Sequence, residues 1–125
     1  MSTITDYRIK KMSPQLVVTD LDRSVEFYTQ QLGFEIDFRY EDFYVGIIKD
    51  GFSIHLKAGL PFAEERHSRK ENEHLDIVFL VESIDNLYAE LSDKAVTIVQ
   101  SPTDMPYGRE FYIADPDGYI IGFLE

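Results

Sequence analysis

The sequence predicts an α+β fold of two tandem βαβββ modules within a single domain, residues 1–125. Three observations predict it. Short runs alternate apolar and polar residues, as half-buried strands do, and twice give way to a helical three-to-four spacing. The order of runs before residue 60 is repeated after residue 74. Two blocks also align between the halves: VVTDLDRSV (Val17–Val25) falls on LVESIDNLY (Leu80–Tyr88), and DGFSIHLK (Asp50–Lys57) on DGYIIGFL (Asp117–Leu124). Agreement of both blocks in the same order marks an internal duplication.

The elements follow in order. Ser13–Val18 reads as a strand. Asp20 is a cap for a helix over Leu21–Leu32, with Leu21, Val25, Tyr28 and Leu32 on one face and Gly33 at the C′ position. Phe34–Tyr40 alternates as a strand, and Phe43–Lys57 is a hairpin joined through Asp50–Gly51, the favoured type I′ pair. Within it Phe52, Ile54 and Leu56 face one side, with Ser53, His55 and Lys57 on the other. Periodicity vanishes over 61–73, which reads as a charged linker between modules of about 1–60 and 74–125. A strand over His74–Val81 then leads to a helix capped by Ser83, with Ile84, Leu87, Tyr88 and Leu91 on its face. Thr97–Ser101, Arg109–Ala114 and Gly118–Glu125 complete the second set of strands.

Composition narrows the function. The chain carries 12 basic and 23 acidic residues, a net charge of −11. Such a chain repels nucleic acid and attracts cations, although solubility alone also accounts for the charge. No cysteine is present, which removes disulfides, thiolate metal sites and a cysteine nucleophile. No apolar run approaches the ~18 residues of a membrane span, and the N-terminus lacks the apolar stretch of a signal peptide. A cytoplasmic protein is expected.

DPDG (Asp115–Gly118) has acids at alternate positions, as cation-binding loops do. The duplication sets Asp117–Gly118 on Asp50–Gly51, so the stretch reads as a hairpin turn instead.

VTDLDRSVEFYTQQLGF (Val18–Phe34) and FYIADPDGYIIGFLE (Phe111–Glu125) resemble the two signature blocks of the vicinal oxygen chelate superfamily, which includes glyoxalase I, bleomycin-resistance proteins and extradiol dioxygenases. The resemblance runs over essentially the whole chain. It implies that the modules form a cupped mixed sheet with helices outside, and that the cup holds a ligand. In the enzymes the cup also holds a divalent metal, with one ligand on the first strand and one on the fourth strand of each module. The matching positions here are Ser13 and Asp76, and His55 and Gly122. Two of those four offer no strong donor, whereas a catalytic site normally takes three protein ligands. No metal, cofactor or catalytic residue is therefore expected. A rescue through His74 or Gln15 needs register shifts on two strands.

Within the superfamily, the Gly-Arg-Glu-Phe run (Gly108–Phe111), the D-F-x-x-x-D-F spacing (Asp37, Phe38, Asp42, Phe43) and NLYAEL (Asn86–Leu91) resemble the bleomycin-resistance proteins. That resemblance implies a homodimer that sequesters a bulky cationic antibiotic in clefts built by both chains. The residues agree independently. Phe38–Tyr44 (FRYEDFY) concentrates aromatics and acids, the combination that holds a flat cation by cation–π attraction and charge pairing. The candidate ligand-binding residues are Gln15, Asp37, Phe38, Tyr40, Asp42, Phe43, His55, Asp76, Tyr107 and Phe111. Phe34, Phe79 and Phe123 are assigned to the core, and Arg109 to a structural ion pair with Asp115 or Glu110. Tyr107 stands where bleomycin-resistance proteins often carry tryptophan, a departure that leaves the ligand's identity open. Two functions are consistent with this pattern: a metal-free sequestering protein, and a metal-dependent lyase or transferase of the glyoxalase I type with a degenerate site.

Overall fold

The computed structural model of the chain describes residues 6–60 and 75–125. The expected linker over 61–73 and His74 lie outside the described residues.

Each module is a four-stranded mixed sheet. The first comprises β1 (Gln15–Val18), β2 (Glu35–Tyr40), β3 (Tyr44–Lys49) and β4 (Phe52–Ala58), in the order β1-β4-β3-β2. The second comprises β5 (Ile77–Leu80), β6 (Thr97–Met105), β7 (Gly108–Ala114) and β8 (Ile120–Leu124), in the order β5-β8-β7-β6. In both, the first strand runs parallel to the fourth and the other pairs are antiparallel. The helical element after β1 begins as α1 (Leu21–Glu26), and α2 (Ile84–Asp93) follows β5. The duplication holds at the level of register: Gln15, His55 and Gly46 lie across one sheet as Val78, Gly122 and Tyr112 lie across the other.

Strand alternation gives each sheet one helix-covered and one open face. Leu16, Val18, Val45, Ile47, Ile54 and Leu56 are buried beneath Leu21, Val25 and Tyr28 of the first helical element. Phe111, Ile113, Ile121 and Phe123 are buried with Ile84 and Leu91 of α2 in the same continuous core. Each fully buried aliphatic side chain stabilises the fold by about 2 kcal/mol.

The helices differ from the sequence expectation in two details. The first helix does not stay α-helical to Leu32; it widens into a π segment over Phe27–Gln31, closed by a bond from Leu32 N to Phe27 O. Thr29 Oγ1 donates to the Val25 carbonyl at 2.8 Å, and a hydroxyl that competes for an i−4 carbonyl loosens a helix. At α2, Ser83 is held left-handed (φ 55) and its side chain makes no capping bond. Glu125 Oε1 accepts from Ile84 N at 2.8 Å in its place. Asp20 does cap α1, accepting from Arg23 N, and Gly33 (φ 80) ends the π segment. Asp50 and Gly51 both have positive φ (52 and 85), as a type I′ turn requires.

The acids of DPDG are buried and join the modules. Asp115 Oδ1 accepts from the backbone of Asp117 and Tyr119, while its Oδ2 accepts from Tyr28 Oη at 2.8 Å. Asp117 accepts from Thr19 N, Thr19 Oγ1 and Ser24 Oγ. Tyr119 Oη donates to Val17 O at 2.6 Å.

Burial pushes the Asp115 carboxyl up to about 6, above the unfolded value of 3.8, despite the hydrogen bonds that oppose the shift. The folded state therefore holds this proton more tightly. Its stabilising contribution is full below about pH 4 and is lost as pH rises through about 6, an effect on the order of 3 kcal/mol. Urea denaturation of wild type and Asp115→Asn across pH 4–7 is expected to show the wild type losing ground steadily with rising pH. Parallel curves would contradict the assignment.

Candidate functional site

The open face of the first module carries an aromatic cluster. Gln15, His55, Gly46 and Phe38 lie in one row across β1, β4, β3 and β2. Phe38 stacks on Tyr44 at 6.1 Å with 14° between the planes, meets Tyr40 at 5.6 Å, and stands edge-on to His55 at 5.1 Å. The ring occupies the space above Gly46, where a methyl group would overlap it. The glycine thus lets the aromatic ring lie flat on the sheet.

A polar chain fixes the other side of the cluster. Gln15 Nε2 donates to Tyr44 Oη at 2.9 Å, and Tyr44 Oη meets His55 Nδ1 at 2.9 Å. Between Tyr44 Oη and His55 Nδ1 either atom can donate, according to the imidazole tautomer. Tyr44, although within the FRYEDFY stretch, was not among the candidate residues. Counting outward from the Asp50–Gly51 turn, which pairs Gly46 with His55 and Tyr44 with Lys57, assigns it to this face.

Around the cluster, Asp37 forms an ion pair with Lys11 at 3.2 Å, beside the irregularity in β2 between Ile36 and Phe38. Asp42 and Phe43 lie in the turn between β2 and β3, where Phe43 and Tyr40 are largely exposed. The first sheet thus brings together Gln15, Phe38, Tyr40 and His55, with Asp37, Asp42 and Phe43 at its margin.

Tyr107 and Asp76 belong to the second module. Tyr107 Oη and Tyr112 Oη both donate to Glu110 Oε1 at 2.9 Å, and Glu110 is only 6% exposed. The bond to Glu110 raises the Tyr107 hydroxyl above its ordinary range. Tyr112 shares its row with Gly122, Val78 and Gln100, whose buried Nε2 has no hydrogen-bond partner among the described residues. Asp76 Oδ2 accepts from Ile120 N at 2.8 Å, a bond that fastens the start of β5 to β8.

Phe111 is corrected. It is fully buried, stacks on Phe123 at 5.0 Å and meets Tyr88 edge-on at 5.5 Å. Alternation along β7 sends Glu110 and Tyr112 to the open face and Phe111 beneath α2. Arg109 is structural, but its partners are Asp85 and Asp104, each at 3.0 Å, rather than Asp115 or Glu110.

The four positions matching a metal site do not fit a catalytic divalent ion. Ser13 and Ser53 hydrogen-bond each other through their hydroxyls, His55 engages Tyr44, Asp76 binds backbone, and Gly122 has no side chain. Among the described residues no group of three or more His, Cys, Asp or Glu is placed to hold a metal. Nor is any described helix long and apolar enough to cross a membrane.

Two duplicated mixed sheets, each with a helix-covered and an open face, define the paired βαβββ class of fold. The chain belongs to the Glyoxalase/Bleomycin resistance protein/Dioxygenase superfamily, whose family model matches residues 8–123. Among solved structures it is similar to UcmS2, with 26% identity and a TM-score of 0.76 over 94% of this chain and 98% of that one. It is also similar to the bleomycin-binding protein from bleomycin-producing Streptomyces verticillus, in complex with copper(II)-bleomycin (22% identity, TM-score 0.67, 94% and 97% covered). A third similar structure is TnmS3, an antibiotic binding protein from Streptomyces sp. CB03234 (18% identity, TM-score 0.67, 94% and 98% covered). The latter two likenesses speak for the fold. No curated protein matches the sequence.

Proposed function

We propose that this chain is a non-catalytic binding protein that sequesters a bulky, cationic, aromatic small molecule of the bleomycin-like antibiotic class. The observation that carries the reading is the cluster of Phe38, Tyr40, Tyr44 and His55 on an open sheet face of a chain with net charge −11. Aromatic faces bind flat cations, and a strongly negative field raises their rate of encounter. Family membership and the antibiotic-binding neighbours support the same class of ligand. The poor donor set at the metal positions weighs against the glyoxalase-type reaction.

A homodimer is part of this proposal. Exposed Ile36 and Tyr40 on one sheet, and Val78 and the β6–β7 turn residue Tyr107 in the second module, leave apolar surface that a second chain would bury, completing each cleft from two modules. Sedimentation at micromolar concentration is expected to show a dimer; monomer alone would count against shared clefts.

Calorimetric titration tests the function directly. Metal-free bleomycin and copper(II)-bleomycin are expected to bind stoichiometrically, with affinity falling as salt rises. Stabilisation by Zn²⁺, Mn²⁺ or Ni²⁺ with no glycopeptide binding would overturn the proposal in favour of a metalloenzyme.

A further inference from the structure

We propose a second binding site in the groove between the two modules, selective for a compact organic amine with an aromatic or aliphatic body. The groove encloses about 430 Å³ and is lined from both modules, by Leu32, Phe34 and the β3–β4 hairpin on one side and by β5 and α2 on the other. That volume falls in the roughly 300–1,000 Å³ range of small-molecule pockets. Phe38, Tyr44 and His55 do not line it, so it is separate from the aromatic face.

Its floor is aromatic. Phe34 lies 6.1 Å from Phe79, and Phe79 lies 5.6 Å from Phe123. The lips are apolar side chains left in water: Phe52, 74% exposed beside the hairpin turn, and Leu80, 79% exposed at the end of β5. Two large apolar groups so exposed, on opposite modules of one concavity, give an incoming molecule apolar area to cover.

The rim sets the charge of that molecule. Asp50, Glu82 and Glu90 line the groove against the single ammonium of Lys49. Lys49 lies 3.8 Å from Asp50, and Lys94 lies 3.3 Å from Glu90. Glu82 has no ion-pair partner among the described residues. Beside it stands Ser83, the left-handed residue whose capping role Glu125 has taken. A non-glycine residue in that conformation costs on the order of 1–3 kcal/mol, and such outliers concentrate at ligand clamps. An apolar trough with a carboxylate at its edge that no described cation pairs suits a ligand with an apolar body and one ammonium group.

The test uses the full chain carrying Phe38→Ala, which weakens the aromatic face, so that the groove and the failure of that face are scored separately. Fluorescence titration with 1-pyrenemethylamine, cationic at neutral pH, is compared with pyrene-1-carboxylate. The amine is expected to saturate a single site, at least about tenfold more tightly than the carboxylate. Adding Phe52→Ser is expected to weaken it about tenfold through lost apolar contact, and adding Glu82→Gln about fivefold with a shallower salt dependence. Phe52 is exposed, so the fold is expected to survive, which circular dichroism checks; Glu82→Gln provides the independent variant. Equal binding of the two probes, or amine binding that neither added substitution alters, would overturn the site. So would a dimer that Phe52→Ser converts to monomer in sedimentation, because the groove would then be covered by a second copy.

Discussion

Replacing Asp117 by alanine is expected to destabilise the fold by about 3–4 kcal/mol, the largest single effect on stability at the seam between modules. The side chain is 1% exposed, so water does not replace its partners. Its Oδ1 accepts from Thr19 N at 3.1 Å and Thr19 Oγ1 at 2.7 Å, and its Oδ2 accepts from Ser24 Oγ at 3.3 Å. Arg23 adds a longer charge contact at 3.7 Å. Alanine leaves the buried Ser24 hydroxyl without its acceptor, at about 1–3 kcal/mol, and removes both bonds that tie the more exposed Thr19 to the turn. Asparagine retains one acceptor oxygen and is expected to cost about half as much. Urea denaturation checks this; a loss under about 1 kcal/mol for Asp117→Ala would show that the network does not hold the modules together.

The same network explains why aspartates occupy these positions. Thr19 and Ser24 belong to the first module, and Asp117 to the β7–β8 turn of the second. Asp115 takes the Tyr28 hydroxyl from the π segment. Widening of the first helix and burial of the turn acids therefore meet at one point. Because the π segment carries Tyr28, a substitution at Thr29 that restores regular α-helical bonding would also move the Tyr28–Asp115 contact.

Much of the fold was legible because strand and helix periods are local. Alternation through Phe52–Lys57 separates buried Ile54 and Leu56 from half-buried His55 and exposed Lys57, and Asp50–Gly51 marks the hairpin, but Phe52, grouped with Ile54 and Leu56, is 74% exposed and Ser53 is buried. What failed depended on neighbours distant in sequence. Ser83 had the composition of a cap, but Glu125, brought beside α2 by β8, takes the bond. The Gly-Arg-Glu-Phe motif points Phe111 to a ligand, whereas its parity assigns it to the core with Phe123. The DPDG acids were legible as a turn, yet their burial against Thr19, Ser24 and Tyr28 requires the packed modules. Tyr44 was recoverable from hairpin register alone, and with it the polar chain from Gln15 to His55.

For the proposed ligand site, Phe38→Ala is expected to weaken bleomycin binding about 30- to 100-fold, a loss of about 2–3 kcal/mol of the kind concentrated in aromatic hot spots. Phe38 touches Tyr40, Tyr44 and His55 and is only partly buried, so stability is expected to fall by less than about 1.5 kcal/mol. Gly46→Ala reaches the same residue from below. Its methyl would overlap the Phe38 ring, so the ring must tilt away from Tyr44, and affinity is expected to fall about tenfold although no ligand contact has been deleted. Tyr44→Phe keeps the stacking ring but removes the hydroxyl that joins Gln15 to His55, and a fall of about fivefold is expected from loss of orientation alone. Calorimetry on the three variants separates the contributions: Phe38→Ala measures the aromatic surface, Gly46→Ala its placement, and Tyr44→Phe the polar chain behind it. Bleomycin affinity unchanged in Phe38→Ala and Gly46→Ala would remove the aromatic face as the binding site, whatever the affinity of the wild type.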